Sequence, residues 1–291
     1  MMHNSPPWFS VSPLWFSVKF YKPNFFQNMN KIILVFVFFL TLKLGFTQSV
    51  LSLKELNIKS KEYLLEKDYK NAVPLFKQAA EMGNAEAQYN YGVCFQQGII
   101  VEKSDSIAHY WFLKSAEQGW KDSEYELALN YAFGLVVPKD LEKSFYWSLK
   151  CAWQMDPECM YNVIGCYKDG IGVAMNTDSM IYWAVKLASL DAPEDLHDIN
   201  VQIGTTRLNL AMMYYTGHRV NKDLVKSYTW FSIYNERKKV FKTTVQEKNI
   251  GYISGMEREL KDSEKARAKA DAEKILGRKL SNFSNLLKVE F

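Results

Sequence analysis

Apolar and polar positions in the middle of the chain follow a pattern that recurs every 36 residues. The stretch NYGVCFQQGIIVEKSDSIAHYWFLKSAEQG (90–119) returns as ELALNYAFGLVVPKDLEKSFYWSLKCAWQM (126–155) and as NVIGCYKDGIGVAMNTDSMIYWAVKLASLD (162–191). A fourth copy, NLAMMYYTGHRVNKDLVKSYTWFSIYNER, starts at Asn209 after an insertion of 11 residues. The copies align on Gly98, Gly134, Gly170 and Gly217. Three positions before each glycine stands an aromatic: Phe95, Tyr131, Tyr167, Tyr214. Six positions after it comes a good helix N-cap: Ser104, Asp140, Asn176, Asp223. Thirteen after it comes tryptophan: Trp111, Trp147, Trp183, Trp230. A half-copy, NAVPLFKQAAEMG (71–83), keeps the frame upstream. Each unit therefore predicts a helix, a glycine turn and a capped second helix. Small residues at Gly92, Ala128 and Ala211 let backbones approach, and the tryptophans fill the space between helices.

A single unit of this kind cannot bury its apolar face, so neighbours must stack on it. The pattern A-x-Y-N-x-G, then Y-x-x-G-x-x-V-x-x-D, then A/S-x-x-W and A-A…G, resembles the Sel1-like repeat (SLR) family, relatives of the tetratricopeptide repeat. The resemblance covers roughly residues 50 to 238. It implies an all-α, right-handed solenoid of four to five helix pairs over residues 48–238, with capping helices over 239–291. This chain departs from the family at the second turn glycine, kept only as Gly172, and at Glu126, where the other copies have Asn. The segment LDAPEDLHDINV (190–201), which holds the insertion, lengthens one connection. In the tail, TTVQEKNIGYISGMEREL and LKDSEKARAKADAEKIL read as two helices. For the second, Asp262 or Ser263 is the expected N-cap, and Ala266, Ala270 and Ile275 the inward stripe.

The N-terminus changes the compartment. Met29-Asn30-Lys31 precedes an apolar run from Ile32 to Leu42, followed by Lys43 and the small residues Gly45 and Thr47. This describes a signal peptide over 29–47, with Gln48 as the mature terminus. A membrane span needs about 20 apolar residues, so no span is expected after cleavage, and the protein is expected in the periplasm or secreted. Residues 1–28 fit no part of this scheme and are expected to be a mis-called extension. The net charge of +4 is small and lies in the tail, where 14 Lys/Arg mix with 8 Asp/Glu from Arg237 to Phe291. That mixing marks solvated helix faces and argues against nucleic acid as a partner.

Candidate chemistry is thin. His109, His197 and His218 are isolated, and no H-E-x-x-H, G-x-S-x-G, S-x-x-K or phosphate loop occurs. No catalytic residue, metal site or cofactor is expected. Cys151 and Cys159, with seven residues between them, match neither zinc nor thioredoxin spacing. Their counterparts in other units are Ala79/Ala87 and Ser115/Ser123, small residues that suggest close helices. The resemblance to the cysteine-rich branch of bacterial SLR proteins implies a disulfide between them; free thiols are the alternative. Cys94 and Cys166 share another column and are expected to be buried.

The resemblance also places the first helices on the concave face. Asn90, Asn162 and Asn209 occupy one register there, and a carboxamide both donates to and accepts from a peptide backbone. Glu126, Gln88 and Gln96 are expected to add surface-facing polar groups to the same groove. The bland alternative is that these asparagines bond neighbouring helices. The expected function is a non-catalytic adaptor or scaffold that binds a protein or peptide. The family resemblance also permits a cell-wall enzyme with weak β-lactam-hydrolysing activity.

Overall fold

The repeat translates into helices of nearly constant length because its punctuation is constant. The computed structural model describes residues 51–191, 196–236 and 244–281; the segments expected to be a signal peptide and an extension before it lie outside these residues. The chain divides after Ser52, and every described helix belongs to the second unit. Five pairs come first: α1 (Leu53–Leu65) and α2 (Tyr69–Glu81), α3 (Ala85–Gln97) and α4 (Asp105–Glu117), α5 (Lys121–Phe133) and α6 (Leu141–Trp153), α7 (Pro157–Asp169) and α8 (Thr177–Ala188), α9 (His197–Thr216) and α10 (Leu224–Asn235). Then follow α11 (Thr244–Glu259) and α12 (Asp262–Leu276). Among the described residues there are only helices, and none is long and apolar enough to cross a membrane.

Each turn is closed by the residues in the aligned columns. Gly98, Gly134, Gly170 and Gly217 take left-handed φ of 66–75°, which glycine adopts without the Cβ penalty. Four residues upstream a carbonyl accepts from each glycine N–H, such as that of Cys94 for Gly98. The next helix is capped as the sequence predicts: Ser104, Asp140, Asn176 and Asp223 accept from the backbone N–H three residues on. The N–H of each cap residue donates back across the turn to the carbonyl of the aromatic, as from Asp140 to Tyr131 at 2.9 Å. Substituting one such cap by alanine costs typically about 1 kcal/mol.

The core forms between units. Trp147 of α6 packs with Phe112 and Ala116 of α4 and Leu127 of α5. Trp183 of α8 packs with Cys151, Cys159 and Val163 from the preceding helices. Phe112, 1% exposed, sits where a Cβ on Gly92 would lie 2.7 Å from its ring, so the glycine admits the phenyl group.

Three corrections concern the C-terminal half. The insertion is only partly a connection, because from His197 onward it extends α9 to 20 residues, against 13 in the earlier first helices α3, α5 and α7. The cap position of α12 is Lys261, whose backbone N–H donates to Glu264 at 2.9 Å. Its inward stripe is Ala268 and Ala272, while Ala266 and Ala270 are exposed. These alanines meet α10, which is buried on most sides, and Thr229 Oγ1 donates to the Ala268 carbonyl.

One carboxylate is buried in the stack. Glu124, 1% exposed, accepts from Gln154 Nε2 at 2.8 Å and has Lys150 Nζ 3.5 Å away. Burial pushes its carboxyl pKa up, against the opposing pull of Lys150 and Gln154. A carboxyl raised in the folded state carries no penalty below its ordinary pKa. The penalty grows as pH rises and is complete above the raised value. Glu124→Gln is therefore expected to gain stability over wild type at pH 7, with the gap closing as pH falls from the raised value to the ordinary glutamate range. Urea unfolding across that range checks the sign.

Candidate functional site

The asparagine column stands on consecutive first helices. Asn90 lies on α3, Asn162 on α7 and Asn209 on α9, each eight residues before its turn glycine, with Glu126 of α5 in the same register. Asn90 and Asn162 are half-buried and Asn209 is exposed. Among the described residues none of the three carboxamides makes a hydrogen bond, so no structural bond accounts for their recurrence. Glu126 differs. It accepts from Gln96 Nε2 at 3.0 Å, a link between α5 and α3, and burial raises its pKa, with Gln96 opposing and Asp122 reinforcing.

Gln88 is not surface-facing as expected. It is 4% exposed, donates to the Ala80 carbonyl at 3.2 Å and accepts from Gln118 Nε2 at 2.7 Å. The same bond recurs one unit later between Gln154 and Glu124. Residues 88 and 124 are one column and 118 and 154 another. Their recurrence 30 residues apart was the available signal that Gln88 ties units together.

Asn209 stands in the wall of a groove of about 830 Å³ between α7 and α9, floored by Met180 and Ala184 of α8. Ile164, Gly165, Leu210 and Met213 give it an apolar lining, and Lys168, His218 and Arg219 stand at one end. Arg219 Nη1 donates to the Lys168 carbonyl at 2.9 Å, which holds the guanidinium at that end.

Cys151 and Cys159 are joined in a disulfide, with Cα atoms 5.7 Å apart and both side chains fully buried. Asp156 lies beside the two sulfurs. It caps α7 by accepting from the Cys159 N–H and pairs with Lys121, and disulfide sulfurs are not thiolate ligands. Cys94 is buried and its thiol is pushed up to about 11 by burial. Cys166 is half-buried, less than expected, and burial together with Asp169 raises its pKa. Neither thiol is poised as a nucleophile. His109 meets Asn130 Nδ2 through Nδ1 at 3.2 Å, and burial lowers its pKa.

The Sel1 repeat pattern matches residues 61–84, 85–120, 121–152 and 207–233. No curated protein is similar enough in sequence to count as a relative. Among solved structures, a Sel1 repeat protein from Oxalobacter formigenes is similar at 22% identity with a TM-score of 0.54, over 78% of this chain and 90% of that one. The SLR-fold protective antigen c5321 from uropathogenic Escherichia coli is similar at 21% identity with a TM-score of 0.40, over 82% of this chain and 57% of that one. Sel1 repeats are commonly protein-interaction scaffolds. With four matched repeats in an all-α solenoid, the chain belongs to the Sel1-like repeat proteins.

Proposed function

We propose that this Sel1-like repeat protein is an exported, non-catalytic adaptor that holds a protein or peptide segment on the concave face built by its first helices. The observation that carries this reading is the row of carboxamides at Asn90, Asn162 and Asn209. They share one register and have no hydrogen bond among the described residues. A carboxamide left open on a rigid helix offers both a donor and an acceptor to an extended backbone. The helices are already packed and capped, so the face binds without first ordering itself. Export is supported by the signal-like segment 29–47 and by the buried disulfide, since such bonds persist in oxidising compartments.

The test is the double variant Asn90→Ala plus Asn162→Ala. Affinity capture from the exported fraction, followed by mass spectrometry, identifies ligands of the wild type. The variant is expected to keep its circular dichroism and to bind those ligands at least about tenfold more weakly, a loss of about 1.4 kcal/mol. Equal binding by both proteins would remove the asparagine face from the function.

A further inference from the structure

Gly165 occupies the middle of α7, where the aligned units carry Val93, Leu129 and Met212. Glycine inside a helix is destabilising, because it loses the most backbone freedom on folding and packs nothing. No neighbour requires it here. A Cβ built on Gly165 meets nothing within 4 Å, whereas one on Gly92 would strike Phe112. The side chain missing from this column leaves open space, and that space is part of the groove between α7 and α9.

We propose that the groove over Gly165 is an anchor pocket for a large apolar side chain of a bound peptide, flanked in that peptide by an acidic residue. This rests on the reading of the first-helix face as a peptide-binding surface. A groove of about 830 Å³ falls within the range of pockets that enclose a ligand group. Met180, Met212 and Met213 supply much of its wall. Methionine is unbranched and adaptable, so the wall suits leucine, methionine or phenylalanine and does not select a single shape.

The charge at one end selects the neighbouring residue. Lys168, His218 and Arg219 stand there, and no Asp or Glu is among the lining residues. Lys168 has Asp169 at 3.3 Å. The Arg219 guanidinium is held by the Lys168 carbonyl, and among the described residues no carboxylate pairs with it. Arg219 Nη1 is taken by that carbonyl and Nε donates to His218 Nε2 at 3.4 Å, so a carboxylate on the peptide completes that end through a charge-assisted bond from Nη2.

The experiment selects short random displayed peptides on the immobilised full chain and measures their synthetic, dye-labelled forms by fluorescence anisotropy. Enriched sequences are expected to pair Leu, Met or Phe with a nearby Asp or Glu. Gly165→Leu places its Cβ in open space and replaces glycine with a better helix former. It is expected to melt no lower than wild type and to bind the selected peptides at least about tenfold more weakly. Arg219→Glu is expected to weaken the acidic peptides by a similar factor. Two results overturn the anchor pocket alone: peptides that need Asn90 and Asn162 but bind Gly165→Leu unchanged, and peptides that need them but lack the apolar–acidic pair. Failure of any peptide to enrich on the wild type overturns both the pocket and the peptide-binding face.

Discussion

Replacing Cys151 and Cys159 together with alanine is expected to lower the unfolding free energy by about 2–3 kcal/mol. The two residues lie eight apart in sequence and join the end of α6 to the start of α7. A short closed loop removes less denatured-chain entropy than a long one, which places the estimate below the upper end of the usual disulfide range. Its position compensates. Both sulfurs sit in the core cluster with Met160, Val163, Trp183 and Leu187, so the staple fixes the junction between consecutive helix pairs. A repeat array is a sum of unit and interface terms, and weakening this interface is expected to broaden the transition as well as shift it. Urea unfolding with and without reductant makes the comparison. The wild type is expected to lose stability under reductant, and the double variant to be indifferent. A wild type insensitive to reductant, with four alkylatable thiols after unfolding in its absence, would show that the staple does not form.

The fold was legible because the repeat carries its own boundaries. Turn glycines, caps and tryptophans recur at fixed offsets, and each offset corresponds to one physical requirement. Polar contacts between units were less legible, since they join columns and not neighbours. Gln88 looked like a surface group when read alone, yet together with Glu124 it forms the buried acceptor column for Gln118 and Gln154. The covering of α10 was also written in a column. Tyr110, Tyr146 and Tyr182 are exposed, with Lys114, Lys150 and Lys186 over their rings. In the last unit those places become Thr229 and Ile233, both buried, with Thr229 bonded to α12. A loss of polar character at an exposed column marks the helix that the cap covers. The register of α12 was not legible, because alanine is spread through it at 266, 268, 270 and 272, and only packing chooses the pair that turns inward. The groove was not legible for another reason: its signal is a missing side chain at Gly165, and an absent group carries no chemistry in the sequence.

Gly172→Ala is expected to destabilise the protein by about 2–4 kcal/mol, more than the same change at Gly170. Both glycines have positive φ, 68° and 72°. Conformation alone does not explain the difference, because Ile100, at the position equivalent to Gly172, holds a φ of 61° with a β-branched side chain. Arg219 does the same at 65°. Space separates the cases. A Cβ on Gly172 would lie 1.9 Å from the Leu141 carbonyl oxygen and 2.5 Å from its carbon, both backbone atoms at the start of α6. A Cβ on Gly170 would meet the Met175 side chain at 3.1 Å, and a methionine can turn aside. Alanine at 172 must therefore push the α7–α8 turn off the preceding unit, while alanine at 170 pays mainly the left-handed strain of about 1–2 kcal/mol. This explains why the second turn glycine survives at this turn, where the loop rests on the neighbouring helix end. Urea unfolding of the two single variants decides it. A Gly172→Ala protein no less stable than Gly170→Ala would mean that the turn does not press on Leu141.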